Sequence, residues 1–250
     1  MNLAPNPPPS ARLNYIKAVG LIVRIAEGDE TRRLVDLPKA ASFLGSCFAF
    51  RRAEFFLTAA HVLRGYQLGE LRVICAADRQ LYRIRTIETH PRADVALAVL
   101  SDAPQTDPFW NVVSPHLGED FIAYGYPEDP FPGLGLVPTP RIFKGHIQRH
   151  IRNYKSDSTR YEYDAIELSM PCPPGLSGGP CFKPSSPMTI VGIVTENVDT
   201  TKVLDTVEET AGPGYREITK LMSVVRYGVG IDPAGIAEWL DRCVPPRRTG

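Results

Sequence analysis

Pro173-Pro174-Gly175-Leu176-Ser177-Gly178-Gly179-Pro180 is the stretch from which the rest of the chain is read. A serine with glycine close on both sides suits neither a packed core nor an ordinary strand. It suits an exposed hydroxyl on a tight turn, where small neighbours admit an acyl group and leave backbone N–H groups free to face a developing oxyanion. A Gly/Pro loop that merely carries a serine has the same composition. The partners available elsewhere in the chain decide between the two readings.

A nucleophilic serine needs a base, and the base needs an orienting carboxylate. All five histidines (His61, His90, His116, His146 and His150) precede Ser177. The Gly175-x-Ser177-x-Gly179 spacing also fits the nucleophile elbow of α/β-hydrolases, but that fold orders its residues Ser, Asp, His. With no histidine after Ser177, the elbow reading fails. His61 closes an apolar run in Thr58-Ala59-Ala60-His61, where small alanines let an imidazole approach a cleft. Asp94 opens the apolar run Asp94–Leu100, at the edge of a core where a carboxylate must be hydrogen-bonded. His90, four residues before Asp94, is the rival base. His116, His146 and His150 read as surface residues, and Cys172 and Cys181 as packing residues beside the serine.

Working outward, the chain reads as a succession of strands. Tyr15–Ile25 is apolar and β-branched. Ser42–Phe50 and Glu54–Thr58 form a hairpin across Arg51-Arg52-Ala53. Leu71–Cys75 pairs with the alternating Leu81–Thr89, and a buried strand follows from Asp94. Ser101–Gly118 is the candidate linker. A second series runs through Asp120–Tyr126, Ile142–His150, Glu162–Met170, Cys181-Phe182, Thr189–Thr195 and Leu221–Ile231. Between its members lie a Pro/Gly loop at 127–140 and a polar loop at Glu196–Tyr215. Pro233–Cys243 is the one helix, with Asp232 as its N-cap and Pro233 at its first position. The fold class expected is therefore all-β.

Composition excludes several function classes. The 28 Lys and Arg balance the 28 Asp and Glu, so no net field favours nucleic acid or an anionic membrane. The cationic stretch Arg141–Arg160 reads as a solvated loop. The N-terminus has no signal-peptide pattern, and no apolar run reaches the ~18 residues of a membrane span. The five cysteines have no metal-binding spacing and read as reduced thiols, which makes the cytoplasm the expected location. No metal or cofactor is expected.

Thr58-Ala59-Ala60-His61, the strand from Ala93 to Leu100 and Gly175–Pro180, in that order, resemble the trypsin/chymotrypsin superfamily of serine proteases. They are nearer to its bacterial trypsin-like and HtrA branch, here without a PDZ domain. The resemblance covers residues 14–243 and implies two six-stranded antiparallel β-barrels and a C-terminal helix. Residues 14–102 would carry His61 and Asp94, and 103–119 would link the barrels. Residues 120–243 would carry Ser177, and 1–13 and 244–250 would be extensions. It also implies that Ser177 is the nucleophile, His61 the general base and then acid, and Asp94 the residue fixing the imidazole tautomer. The N–H groups of Gly175 and Ser177 would form the oxyanion hole. Thr195 would sit near the aspartate, and the Thr195–Asn197 backbone would pair with the substrate as an added strand. Pro171, Cys172, Val194 and Gly228 would line the primary pocket.

Departures from the family pattern sharpen the expectation. Leu176 replaces the acidic or amide residue before the serine, so activation by a newly cut N-terminus is not expected. Val62 replaces a disulfide cysteine. Pro171 is not the aspartate that selects Arg or Lys, which points to a small or medium apolar P1 residue. Glu196 and Asn197 replace an aromatic–glycine pair. The expected activity is that of a serine endopeptidase on protein or peptide substrates. The alternative is a latent or inactive binding module that depends on an activating partner ordering the 127–140 and 196–215 segments.

Overall fold

The computed structural model describes residues 16–33, 41–109, 111–128, 139–156, 160–210 and 216–245. The N-terminal extension at 1–13, residues 129–138 of the expected Pro/Gly loop and residues 211–215 of the expected polar loop lie outside them. Six strands near the N-terminus close into a barrel: β1 (Val19–Arg24), β2 (Ser42–Phe50), β3 (Arg52–Thr58), β4 (Leu71–Cys75), β5 (Leu81–Thr89) and β6 (Ala96–Leu100), in the order β1-β2-β3-β6-β5-β4. All of its neighbours are antiparallel. The β2–β3 turn is tight because Arg51 adopts a left-handed conformation (φ 58°), so β3 begins at Arg52, two residues earlier than the sequence suggests.

The second half builds another ring from β8 (Asp120–Gly125), β9 (Arg141–Lys155), β10 (Glu162–Leu168), β11 (Pro180–Lys183), β12 (Ser186–Thr210) and β13 (Arg216–Ile231). The order is β11-β8-β9-β10-β13-β12, and β11 pairing with β12 completes the ring. A two-residue strand, β7 (Asn111–Val112), lies parallel to β12. The fold is thus the all-β, trypsin-like architecture expected. The cationic Arg141–Lys155 stretch is a strand with a largely exposed surface, and not a loop.

A second expectation is overturned. Glu196–Thr210 is not a polar loop but the far half of β12, paired with β13 as far as Thr210↔Arg216. Acidic residues mask a β-branched content (Val198, Thr200, Thr201, Val203, Thr206, Val207) that favours strand. Beyond Asn197, among the described residues, the two strands pair only with each other. Val203, Leu204, Met222, Val224 and Val225 are exposed along this arm.

The two halves are joined by apolar contacts. Phe109 is fully buried, 5.5 Å edge-to-face from Phe48 of the first barrel and 5.9 Å from Phe182 of the second. Burying such a ring contributes roughly 2–3 kcal/mol. The C-terminal segment opens with a 3₁₀ turn at Pro233–Ile236 and continues as α2 (Ala237–Cys243); α1 is a single turn at Ala60–Leu63. Asp232 caps the segment by accepting from the Ala234 N–H at 3.1 Å. Arg51 ties it to the first barrel through the Val244 carbonyl at 2.6 Å and Asp241 at 2.7 Å. No helix among the described residues is long and apolar enough to cross a membrane.

Candidate active site

Strand β3 ends at Thr58, Ala59 stays extended, and the chain then turns into α1. His61 therefore leaves the barrel wall on a helical turn, its side chain about 29% exposed, while Asp94, in the turn before β6, is 1% exposed. Asp94 Oδ2 lies 2.6 Å from His61 Nδ1, and Oδ1 accepts the His61 backbone N–H at 2.9 Å. A carboxylate only accepts, so Nδ1 carries the ring proton and Nε2 is the nitrogen left to take one. The Asp94 carbonyl also accepts from the Ala60 N–H. This pairing accounts for a carboxylate in so buried a place.

His90 is not a base poised toward this site. Its Nδ1 accepts two backbone N–H groups of the loop leading to Asp94, from Arg92 at 3.1 Å and Ala93 at 2.7 Å. Its ring stands edge-on to Trp239 of α2, 5.3 Å away. Burial, with Arg242 and Arg92 nearby, holds its pKa below the usual 6.5. It clasps the Asp94 loop.

The Ser177 stretch folds as two consecutive turns. Leu176 N–H donates to the Pro173 carbonyl at 3.1 Å and Gly175 has φ +84°. This is the type II turn that Pro at the second position and Gly at the third favour. Gly179 N–H closes the next turn on the Leu176 carbonyl at 2.9 Å, with Gly178 at φ +83°. A Cβ on Gly178 would collide with the Ser46 carbonyl and the Thr58 hydroxyl and lie 2.8 Å from the Ala59 nitrogen, so only glycine lets the turn sit against the residues leading to His61. The Ser177 carbonyl accepts from Ser46 N–H of β2 at 2.8 Å, and Gly178 N–H donates to the Val194 carbonyl at 2.8 Å. Among the described residues, no carbonyl accepts from the N–H of Gly175 or of Ser177. Leu176, where the family has a polar residue, is fully buried in the apolar core of the second ring. The Ser177 hydroxyl donates to the Thr195 carbonyl at 2.7 Å rather than to His61.

The walls named for the primary pocket come together, but they close on themselves. Asn197 Oδ1 accepts the Cys172 N–H at 2.5 Å and Nδ2 donates to the Cys172 carbonyl at 2.6 Å, so the carboxamide crosses from β12 to the segment before the serine. The Cys172 sulfur occupies the space that a Cβ on Gly228 would need. Cys172 and Val194 belong to the buried cluster containing Leu168 and Leu176, whereas Pro171 is exposed. Burial pushes the Cys172 thiol up to about 12, and Cys181, fully buried, is pushed up as well. All five cysteines are free thiols. The Thr195 hydroxyl, expected near Asp94, donates to the Val229 carbonyl at 3.0 Å and accepts from Tyr163 at 3.1 Å. Glu196 accepts from the Tyr154 hydroxyl at 3.2 Å.

Sequence reasoning missed Ser46, Tyr163 and the Asn197–Cys172 clasp. Gly45-Ser46 before an apolar strand gave no chemical signal, and a tyrosine in an alternating strand reads as packing. Among the described residues, no group of three or more His, Cys, Asp and Glu could hold a metal ion.

A family model described as a trypsin-like peptidase domain matches residues 45–193, more than half of the chain. The chain belongs to the trypsin-like peptidase family. Solved structures agree on the fold. The active form of the Rv3671c protease from M. tuberculosis superposes with a TM-score of 0.57 at 17% identity, over 100% of this chain and 95% of that one. The MamO protease domain from Magnetospirillum magneticum gives 0.58 at 14% identity, over 91% and 97%. The HtrA-type protease AlgW, solved with a decapeptide, gives 0.56 at 16% identity, over 93% and 67%. No curated protein matches the sequence.

Proposed function

We propose that the chain is a serine endopeptidase that cleaves protein substrates through an acyl-enzyme, with Ser177 as nucleophile, His61 as base and then acid, and Asp94 as orienter. The observation that carries this reading is the double acceptance by Asp94 of the His61 ring and backbone N–H groups, on the barrel wall to which the Ser177 turn is hydrogen-bonded. His61 Nε2 takes the hydroxyl proton as Oγ attacks the peptide carbonyl carbon. The N–H groups of Gly175 and Ser177 receive the oxyanion, and His61 returns the proton to the leaving amine. Water then repeats the sequence to release the acid. The cleft-side edge of Thr195–Asn197 takes the residues before the scissile bond as an added strand. No metal or cofactor is required.

Asn197 and Cys172 leave little depth for a P1 side chain, which favours small apolar residues such as alanine. The free thiols suit a reducing compartment, and the cytoplasm remains our assignment. Hydrolysis of unfolded casein by the wild type, absent in Ser177→Ala of equal thermal stability, is the expected result. Equal hydrolysis by that variant would overturn the assignment.

A second reading has its own observation, the Ser177 hydroxyl turned to the Thr195 carbonyl. Donating to His61 requires the hydroxyl to give up that bond. In a latent enzyme, a partner or the substrate supplies that change and parts Asn197 from Cys172. Casein hydrolysis that appears only with added host lysate supports this reading.

A further inference from the structure

We propose that Ser46 is a positioning residue for the oxyanion hole, acting from the first barrel on a turn that belongs to the second. This deepens, and rests on, the assignment of Ser177 as nucleophile.

Ser46 lies within β2 and is fully buried. All of its polar groups are engaged, and three of its four contacts reach into the second half of the chain. Its N–H donates to the Ser177 carbonyl at 2.8 Å. Its hydroxyl donates to the Gly175 carbonyl at 2.8 Å and accepts the Tyr126 N–H at 2.8 Å. Its carbonyl accepts the Thr58 hydroxyl at 2.8 Å. The carbonyls of Gly175 and Ser177, the two residues whose N–H groups would face the oxyanion, are thus both fixed by this one serine.

The other side of the turn is fixed by the exit of β8. The Pro174 carbonyl accepts the Glu128 N–H at 2.7 Å. The Pro174–Gly175 peptide carries the N–H meant for the oxyanion, and a peptide cannot rotate without carrying its carbonyl with it. Turning that N–H away breaks the Glu128 bond. Rotating the next peptide breaks the Ser46 bond. Since Ser46 also holds Tyr126, two residues before Glu128, its hydroxyl joins the two restraints into one. Gly175 fits because a Cβ there would meet the Tyr126 carbonyl at 2.6 Å and the Glu128 nitrogen at 2.8 Å.

Removing the hydroxyl leaves the part-buried Gly175 carbonyl and Tyr126 N–H without this partner. The turn then spends part of its time with the Gly175 N–H misdirected. Deleting one oxyanion donor costs about 10²–10³-fold in rate, and loosening one costs less, about 10- to 100-fold.

The test is the rate of covalent labelling by a fluorophosphonate probe, whose phosphoryl oxygen needs the same two N–H groups. For Ser46→Ala the expected result is a rate about 10- to 100-fold slower. The final extent of labelling should match the wild type, and the midpoint of the pH–rate profile should not move. Ser46→Thr, which keeps a hydroxyl, should recover most of the rate. If Ser46→Ala does not fold, Ser46→Cys, similar in size and a weaker donor, is read instead. A merely structural role lowers the extent and not the rate, and that result would overturn the proposal. An unchanged rate in the folded variant would overturn it too. A wild type that labels neither alone nor with added host lysate removes the nucleophile assignment, and this inference with it.

Discussion

The two sides of Ser177 are built differently. On the oxyanion side, the turn from Pro173 to Gly179 is held at nearly every peptide, by Glu128, Ser46 and Val194, and no described carbonyl occupies the two N–H groups that matter. On the side proposed for the primary pocket, the neighbouring segment is held as firmly, by contacts among the proposed walls themselves: Asn197 on the Cys172 backbone, and the Cys172 sulfur against Gly228. The same chemistry, a buried polar group satisfied by its neighbour, preorganises one side and shuts the other. On the proposed assignment, the catalytic groups are consequently more complete than the recognition surface.

Substitutions at the catalytic groups should have the largest effect. Ser177→Ala and His61→Ala should each lower kcat by about 10⁶-fold, and Asp94→Asn by about 10⁴-fold, with melting temperatures showing the fold intact. A smaller loss at His61 than at Ser177 would mean that the hydroxyl is activated in some other way.

On the oxyanion side, Gly178→Ala puts a Cβ into the Ser46 carbonyl and the Thr58 hydroxyl at a positive φ. Overpacking and backbone strain together should cost about 2–4 kcal/mol, read from urea denaturation. A stable, active variant would show that the turn has slack. On the pocket side, Asn197→Gly removes the clasp. It should raise kcat/KM for P1 leucine over P1 alanine by about tenfold or more relative to the wild type, measured with a P1-varied peptide set. An unchanged preference would place the P1 contact elsewhere.

The residues proposed to carry the chemistry stand out in the sequence because each is constrained locally: glycines around a serine, alanines before a histidine, an aspartate at the mouth of an apolar strand. The strands at Leu71–Cys75 and Leu81–Thr89 were legible for a similar reason, their alternation being dictated by the barrel wall. What was not legible depends on partners distant in the chain. The hydroxyl of Ser46 bonds Gly175, 129 residues away, and the Asn197 carboxamide bonds the Cys172 backbone, 25 residues away. Neither leaves a periodic mark. The arm of β12 and β13 was misread because its acidic residues look like those of a loop, whereas a two-stranded ribbon exposes both faces and tolerates charge on either.

The smallest effect concerns His90. Its pKa is lower in the folded protein than the usual 6.5, so the unfolded chain takes up the proton first. The stability it contributes is complete above about pH 6.5 and is lost as pH falls through its depressed folded value. Groups facing it are Trp239, Arg242 and Arg92. His90→Asn keeps an acceptor for the loop but cannot titrate there. It should flatten the melting temperature between pH 7 and 5 by about 2 °C, followed by scanning calorimetry. An identical pH dependence would remove His90 from the account.

The most direct test of the central claim is to treat the purified protein with a fluorophosphonate and map the adduct by peptide mass spectrometry. The account predicts one adduct, on Ser177, that is absent from His61→Ala. Labelling at another residue, or at Ser177 undiminished without His61, would contradict it.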